Sequence, residues 1–600
     1  MRIDESVPYV ALRMERPAEA PAFHADMPDG YSIAKYSPGD EHAWAHIVTA
    51  TGEFTAQEKA LAFFEEKFVP YAQLLKERCL FAVNPQGEKV GTLTAWQGDD
   101  GTSGLPRVHW VSVVPDEQGK GLAKALVAES LAFFAMTYPG QTVYLTTQTW
   151  SHAAINLYEK AGFAIAGEDR KERERALYIL DCIRKGGGTM TTEEKLNQPY
   201  AKDRLKALAE LDKNALPPLS DIYVNNHIHT TYSFSPYSPT CALYRARLAG
   251  LPTAGIMDHD SVSGAEEFAK AGEILGVATT TGLECRVSLA GTPFADRSVN
   301  NPDQRGNAYL AMHGIPRQSL SMITQWLEPI REARGRRNRA MVEKLNGILA
   351  KVGISLDYDR DVVPLSQWKN GGSVTERHIC SAAAYALIET HSEDLLGVLG
   401  TLGTHPKERL AEYLSDQDNP FRMYDLIGVF KSDLISEFYL PPTEECPPIA
   451  DFVKLCHEAG AIAAYPYLGD VGDSVTGDKK TQAFEDAFLD ELFAVLKEMG
   501  FDAITYMPSR NTAQQLARVR ALCKQHGFFE ISGEDINQPR QSFLCPALER
   551  PEFAHLRTAT WALIGHERAA TTTIEEGMFS EKTIRETPDL EQRVKKFAGK

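Results

Sequence analysis

The sequence predicts an α/β multi-domain protein with a separate N-terminal unit, and three observations predict it. Six hundred residues are too many for one hydrophobic core. Short apolar, strand-like runs alternate with helix-period stretches in both parts of the chain, as in folds whose strands are joined through helices. Between the parts stands Lys185-Gly186-Gly187-Gly188-Thr189, a glycine run that suits a flexible boundary.

These signals divide the chain into residues 1–183, a linker with a short helix at 184–220, a second α/β unit at 221–314 and 450–545, a mainly helical insertion at 315–449, and a polar, helical tail at 546–600. The chain carries 81 acidic and 63 basic residues, a formal charge of -18. A field of that sign disfavours nucleic acid and anionic membrane as partners. Neither a membrane-length apolar run nor a signal-peptide pattern is found. The nine cysteines are scattered without a CxxC pair, which fits reduced thiols and a cytoplasmic location.

In the first unit the informative stretch is VHWVSVVPDEQGKGLAKALV, residues 108–127. A strand-like alternation ends at Pro115, and Gln118-Gly119-Lys120-Gly121-Leu122-Ala123 leads into a helical pattern. Glycines at such a turn let backbone N–H groups converge at a helix N-terminus, where a pyrophosphate is favoured. A plain glycine turn is the alternative reading.

The segment resembles the acyl-CoA-binding signature of the GCN5-related N-acetyltransferase (GNAT) family, Gln/Arg-x-x-Gly-x-Gly/Ala, matched by Gln118, Gly121 and Ala123. SHAAINLYEKAGF, residues 151–163, resembles the second landmark of that family, with Ser151 where many members carry Asn. The resemblance implies the GNAT α/β fold and a small amine as acceptor. It implies acetyl-CoA or another acyl-CoA held around Val113, Gln118, Gly119, Gly121 and Ala123, with Tyr158 as the general acid that reprotonates the CoA thiolate. For the base, Glu53, Glu117 and a water chain remain open.

In the second unit, His227 and His229 lie two apart in an extended segment and project from one face, a geometry suited to chelating one ion. Further ligand-type residues follow apolar strand-like runs: Asp258 and His259, Glu284, His313, and finally Asp535. His378 stands in Thr375-Glu-Arg-His. Strand ends are where barrel and open α/β enzymes build their sites.

This constellation resembles the polymerase and histidinol phosphatase (PHP) family of metallo-phosphoesterases over roughly 221–545. The resemblance implies a distorted (β/α)7 barrel with a helical insertion. It also implies divalent Mn, Zn or Fe and a small phosphate ester as substrate. His227, His229, Glu284 and Asp535 match one metal site, with Glu284 bridging to a second that includes His313. His259 and Asp258 match a Asp-His pair, with His259 binding a third ion, and His378 lines the pocket as a ligand or phosphate contact. Arg331, Arg334 and Arg339 on the helix of the insertion are candidate phosphate clamps, since a guanidinium fork suits phosphate oxygens.

Three positions depart from the PHP pattern. Phe234 stands where an acid is expected, Tyr465 replaces the histidine of Ala-His-Pro, and Asn537 replaces that of GSDxH. One or two ions are therefore expected rather than three. Lys479 and Arg510 lie on loops that could present a cation to a substrate anion. The leading expectation is a bifunctional acyltransferase and phosphoesterase. The alternative makes the second unit a degenerate metal- or ligand-binding regulatory module attached to an active GNAT. The acidic charge and the lack of polymerase-sized flanks disfavour a nuclease.

Overall fold

A computed structural model describes residues 4, 6–98, 101–167, 169–301, 304–470 and 484–599. The chain divides into two compact units, Met1–Asp203 and Arg204–Lys600. None of the nine cysteines, all buried, forms a disulfide. Among the described residues no helix is long and apolar enough to cross a membrane.

The first unit is built on a seven-stranded sheet: β1 (Ala11–Pro17), β2 (Ser32–Lys35), β3 (Cys79–Val83), β4 (Lys89–Gln97), β5 (Pro106–Val113), β6 (Thr142–Gln148) and β7 (Ala164–Ala166), in the order β2-β3-β4-β5-β6-β1-β7. Strand β1 is a central strand, antiparallel to both β6 and β7. Its alternation buries Leu12, Met14 and Arg16. A buried guanidinium needs its donors satisfied; Arg16 donates to the carbonyls of Ala161, Ala20 and Pro21, tying β1 to the end of helix His152–Lys160. The parallel strands β5 and β6 share the single pair Arg107 with Tyr144, near their starts, and part toward their C-terminal ends. Helix Leu122–Thr137 enters from the end of β5 and packs Leu122, Leu126, Val127 and Phe134 on the core of the sheet.

The second unit holds β8 (Asn225–Ile228), β9 (Thr253–His259), β10 (Ala278–Ser288), β11 (Asn307–His313), β12 (Ile462–Pro466), β13 (Ala503–Tyr506) and β14 (Phe529–Ser532), neighbours in sequence order. Strands β8, β9 and β10 are parallel, as are β12, β13 and β14, whereas β11 runs antiparallel to both β10 and β12. The ring nearly closes where Ile228 bridges Ile536, just past β14. Two backbone bonds make the seam: His229 N–H donates to Ile536 at 2.9 Å, and Ile536 N–H donates to the His227 carbonyl at 3.1 Å. The sheet thus fits a distorted (β/α)7 barrel, the distortion being the reversed β11. The chain between β11 and β12 is helical, led by Leu320–Leu349 and Glu376–His391, and has its own apolar core.

Residues after 546 are more than a polar tail. Helix Ala554–Thr572 buries Leu556, Ala559, Ala562 and Leu563. The last three meet small and apolar residues of the strands, among them Ala311, Ala464 and Ala503. Its Thr560 accepts a hydrogen bond at 2.8 Å from the Asn226 amide, which also donates to the Ser532 carbonyl. The seam leaves no room beside it. A Cβ on Gly533 would lie 2.7 Å from the backbone nitrogen and Cβ of His227. Gly533→Ala is therefore expected to pry β8 from the 533–537 segment and to cost about 1–3 kcal/mol, the range of core overpacking, measured by urea unfolding.

Candidate functional site

In the first unit the parting of β5 and β6 places the turn 114–121 at an opening in the sheet. Gln118 steadies the turn by donating from its amide to the Val113 carbonyl at 2.9 Å. Gly119 and Gly121 have φ of +81° and +92°, and an added Cβ on either would meet nothing within 4 Å. The left-handed backbone asks for glycine, and the open space beside it leaves the N-terminus of helix Leu122–Thr137 approachable. These features fit a bound pyrophosphate. Ala123, one turn position on, packs against the core.

Tyr158 is buried on helix His152–Lys160, and burial, reinforced by the Glu53 carboxylate, pushes its phenol up. Partial burial in turn raises Glu53. Glu117, the other candidate base, accepts from Lys120 at 2.7 Å and Tyr31 at 2.6 Å, contacts that hold it below the usual carboxylate range. The two acids therefore differ: the Glu53 charge acts on the Tyr158 phenol, and Glu117 is committed to Lys120 and Tyr31. Ser151 is buried and accepts from the Gln148 amide at 3.1 Å.

In the second unit the seam gathers the ligand-type residues. His227, His229 and Glu284 form a cluster whose ligand atoms all lie within 4.8 Å of one another. The two imidazole Nε2 atoms are 3.2 Å apart, and His227 Nε2 is 3.4 Å from Glu284 Oε1. Asp535, next to the bridging Ile536, brings Oδ1 to 3.1 Å from His229 Nε2. His259, at the end of β9 and in register with Glu284 on β10, sets Nδ1 3.3 Å from Glu284 Oε2. Burial opposes charge on His227, but the Glu284 carboxylate overrides it and lifts the imidazole to about 9. Burial likewise works against Glu284, yet His227 draws its carboxyl down to about 2. Burial, joined by His229, pushes His259 down to about 3. Two carboxylates facing three imidazoles is a donor set that fits a divalent cation.

Other expected ligands stand differently. Because β11 is reversed, its end falls beside Gly282, two residues short of Glu284, so His313 lies below the cluster rather than at its rim. Burial pushes His313 down to about 3, and its buried Nε2 has no hydrogen-bond partner among the described residues, which leaves it available to an ion near His227. Asp258 is not turned to the cluster. Its carboxylate accepts from Thr230 N–H at 2.7 Å and from the Thr230 and Ser233 hydroxyls at 2.6 Å each. Ser233 Oγ lies 3.3 Å from His229 Nδ1, so Asp258 orients His229 through Ser233 instead of ligating.

His378 is a helix cap: its Nδ1 accepts from Thr375 N–H at 3.0 Å while its ring meets Phe234 at 5.1 Å. Burial pushes it down to about 3, and the structure does not bring it into the cluster. The arginines of the insertion helix are also committed. Arg331 donates to the carbonyls of Gly372 and Trp368, and Arg334 pairs with buried Asp260 at 2.7 Å. Arg339, five residues beyond Arg334 and so on another face of the helix, pairs with Asp359 at the surface. Lys479 lies outside the described residues. Tyr465 is buried in the core and donates to Glu485.

Residues 44–163 match the model of the Acetyltransferase (GNAT) family. Those residues are a GNAT domain. Curated relatives include mycothiol acetyltransferases of Salinispora tropica (30% identical over 164 residues, 26% of this chain and 52% of that protein). Another comes from Thermobispora bispora (31% over 159 residues, 25% and 52%). The chain spans about half the length of these relatives. Among solved structures, a Bifidobacterium adolescentis protein described as a metal-dependent phosphoesterase is similar at 20% identity, covering 56% of this chain and 95% of that one with a TM-score of 0.38. A GCN5-related N-acetyltransferase of Sphaerobacter thermophilus is 24% identical over 27% of this chain and 50% of that one, with a TM-score of 0.23.

Trp110, on β5, has φ of +52°, a strained value for a residue with a side chain. It sits at the irregularity where β5 crosses Thr92–Thr94 of β4 and packs against Trp44, Phe54 and Phe63. No local spacing marks a bulge of this kind.

Glu485 supplies a pH signature beside Tyr465. It is fully buried, and burial lifts its carboxyl from 4.5 to about 7 against hydrogen bonds from Tyr465 and the Leu468 and Gly469 N–H groups. With the folded value raised, its stabilisation is complete below about pH 4.5 and is lost as pH rises through about 7. Glu485→Gln removes that titration. The melting temperature of the variant, relative to wild type, is expected to climb between about pH 5 and about pH 8 in calorimetry.

Proposed function

We propose that the chain is a bifunctional enzyme, an acyl-CoA-dependent N-acyltransferase at 1–183 joined to a metal-dependent phosphoesterase at 221–314 and 450–545. The observation that carries the second activity is the grouping of His227, His229, Glu284, Asp535 and His259 at the seam of the barrel. The GNAT domain and its named relatives support the first.

In the acyltransferase, Gly119, Gly121 and Ala123 offer backbone N–H groups to the pyrophosphate of acetyl-CoA, and Gln118 keeps the turn attached to Val113. Glu53 receives the proton of the attacking amine. Tyr158, kept protonated by burial, returns a proton to the departing thiolate. In the phosphoesterase, His227, His229, Glu284 and Asp535 would hold one divalent ion, and His313 with Glu284 a second. Bound there, a divalent cation supplies the Lewis acidity that polarises a phosphoryl oxygen and activates water. Asp258 keeps His229 in one orientation through Ser233. The departures Phe234, Tyr465 and Asn537 support the second reading, a binding module with one ion.

Elemental analysis after Mn loading separates the two. Two ions per chain, with p-nitrophenyl phosphate turnover lost in His229→Ala, is the expected result; one tight ion without turnover favours the binding module. For the GNAT domain, acetyl-CoA at 100 times its Kd adds about 2.7 kcal/mol of stability, so the melting temperature rises. Gly121→Glu removes the rise by placing a carboxylate where the pyrophosphate sits, and no rise in wild type overturns the acyl-CoA assignment.

A further inference from the structure

Two of the three positions that depart from the PHP pattern, Phe234 and Asn537, meet one and the same side chain. Arg377, half-buried at the second position of helix Glu376–His391, donates from Nη1 to Asn537 Oδ1. Its guanidinium carbon lies 5.9 Å from the centre of the Phe234 ring. The contact continues into the cluster. Asn537 donates from Nδ2 to Asp535 Oδ1 at 2.7 Å, and that same oxygen is 3.1 Å from His229 Nε2. Guanidinium, amide, carboxylate and imidazole thus stand in one line.

We propose that Arg377 supplies, as a permanent guanidinium charge, what a third cation would supply, and that it receives an anionic oxygen of the substrate phosphate. The proposal rests on the phosphoesterase reading of the same site. A divalent ion at this place would find a phenyl ring instead of an acid. The one carbonyl oxygen of the Asn537 side chain is already given to a cation. A fixed positive charge here also repels a second cation. The charge of Arg377 is not spent on its neighbour. Glu376 is taken by Arg337 and Arg286. Apart from the bond to Asn537, the donor fork of Arg377 has no partner among the described residues. The face of Phe234 holds the guanidinium, as aromatic rings do. The ring is itself wedged against His378, which Thr375 fixes as the cap of the helix. Planar forks of this kind bind phosphate oxygens in pairs.

Calorimetric titration of the Mn-loaded full chain with inorganic phosphate tests the proposal, with ions per chain counted in parallel. Arg377→Gln is expected to weaken phosphate binding at least about tenfold (about 1.4 kcal/mol) with the ion count unchanged or raised by one. Arg377→Lys is expected to recover part of that loss, because it restores the charge without the fork. Equal phosphate affinity in wild type and Arg377→Gln overturns the proposal, as does a fall in ion count in Arg377→Gln, which would make the residue a support of the ligands. Phe234→Glu with Asn537→His in the Arg377→Gln background is expected to take up one further Mn. No gain there also counts against a displaced cation. A wild-type chain that binds no Mn at all fails earlier, at the phosphoesterase reading itself.

Discussion

The pair of backbone hydrogen bonds between His227, His229 and Ile536 is the constraint on which the metal-type cluster depends. They join the first strand of the barrel to the segment that follows the last, more than 300 residues along the chain, and they do so at the two histidines themselves. Asp535 reaches His229 only because its neighbour Ile536 is held there, and Asn537 reaches Arg377 for the same reason. The seam tolerates nothing larger than glycine at 533. The C-terminal helix secures it from behind through Thr560 and Asn226. A segment that reads as a polar tail is thus part of the support of the site.

Around the seam, charge is arranged in two layers. The inner layer holds imidazoles and carboxylates whose ring nitrogens and oxygens face one another at 3.1 to 3.4 Å. Such an arrangement of donors is costly in a buried setting unless a cation or protons balance it. The outer layer is already balanced. Arg334 with Asp260, and Arg286 and Arg337 with Glu376 and Glu445, form buried pairs that stiffen the insertion against the barrel. Breaking one member of such a pair strands the other charge. These arginines are therefore structural, and Arg377, with its partner-poor fork, stands apart from them.

Much of the site was legible because its signals are local. Two histidines two apart in a strand share a face whatever the rest of the chain does, and glycines at a turn into a helix leave backbone N–H groups open to an anion. The strand-end positions of Asp258 and His259 could be read from the same alternation, whereas Glu284 lies inside β10, which continues to Ser288. Other placements were decided by physical causes that lie outside any window of sequence. The chain turns back after β10 and lays β11 antiparallel along it, and that direction set His313 beside Gly282. Asp258 and His259 are adjacent in sequence, but neighbours in a strand point to opposite faces, so one reaches the cluster and the other turns to Thr230 and Ser233.

By itself, the sequence determined the two α/β units, the GNAT turn with its glycines, and the identity of the residues able to face an ion. Those depend on backbone periodicity and on side-chain chemistry, which are properties of short segments. Tertiary structure alone decided which of those residues meet. It put the Glu53 carboxylate where its charge acts on Tyr158 and tied Glu117 to Lys120 and Tyr31. It withdrew Arg334 and Arg339 into ion pairs and set Arg377 between Phe234 and Asn537. Each of these outcomes is a competition between partners brought together by folding, and a competition of that kind has no trace in the spacing of residues along the chain.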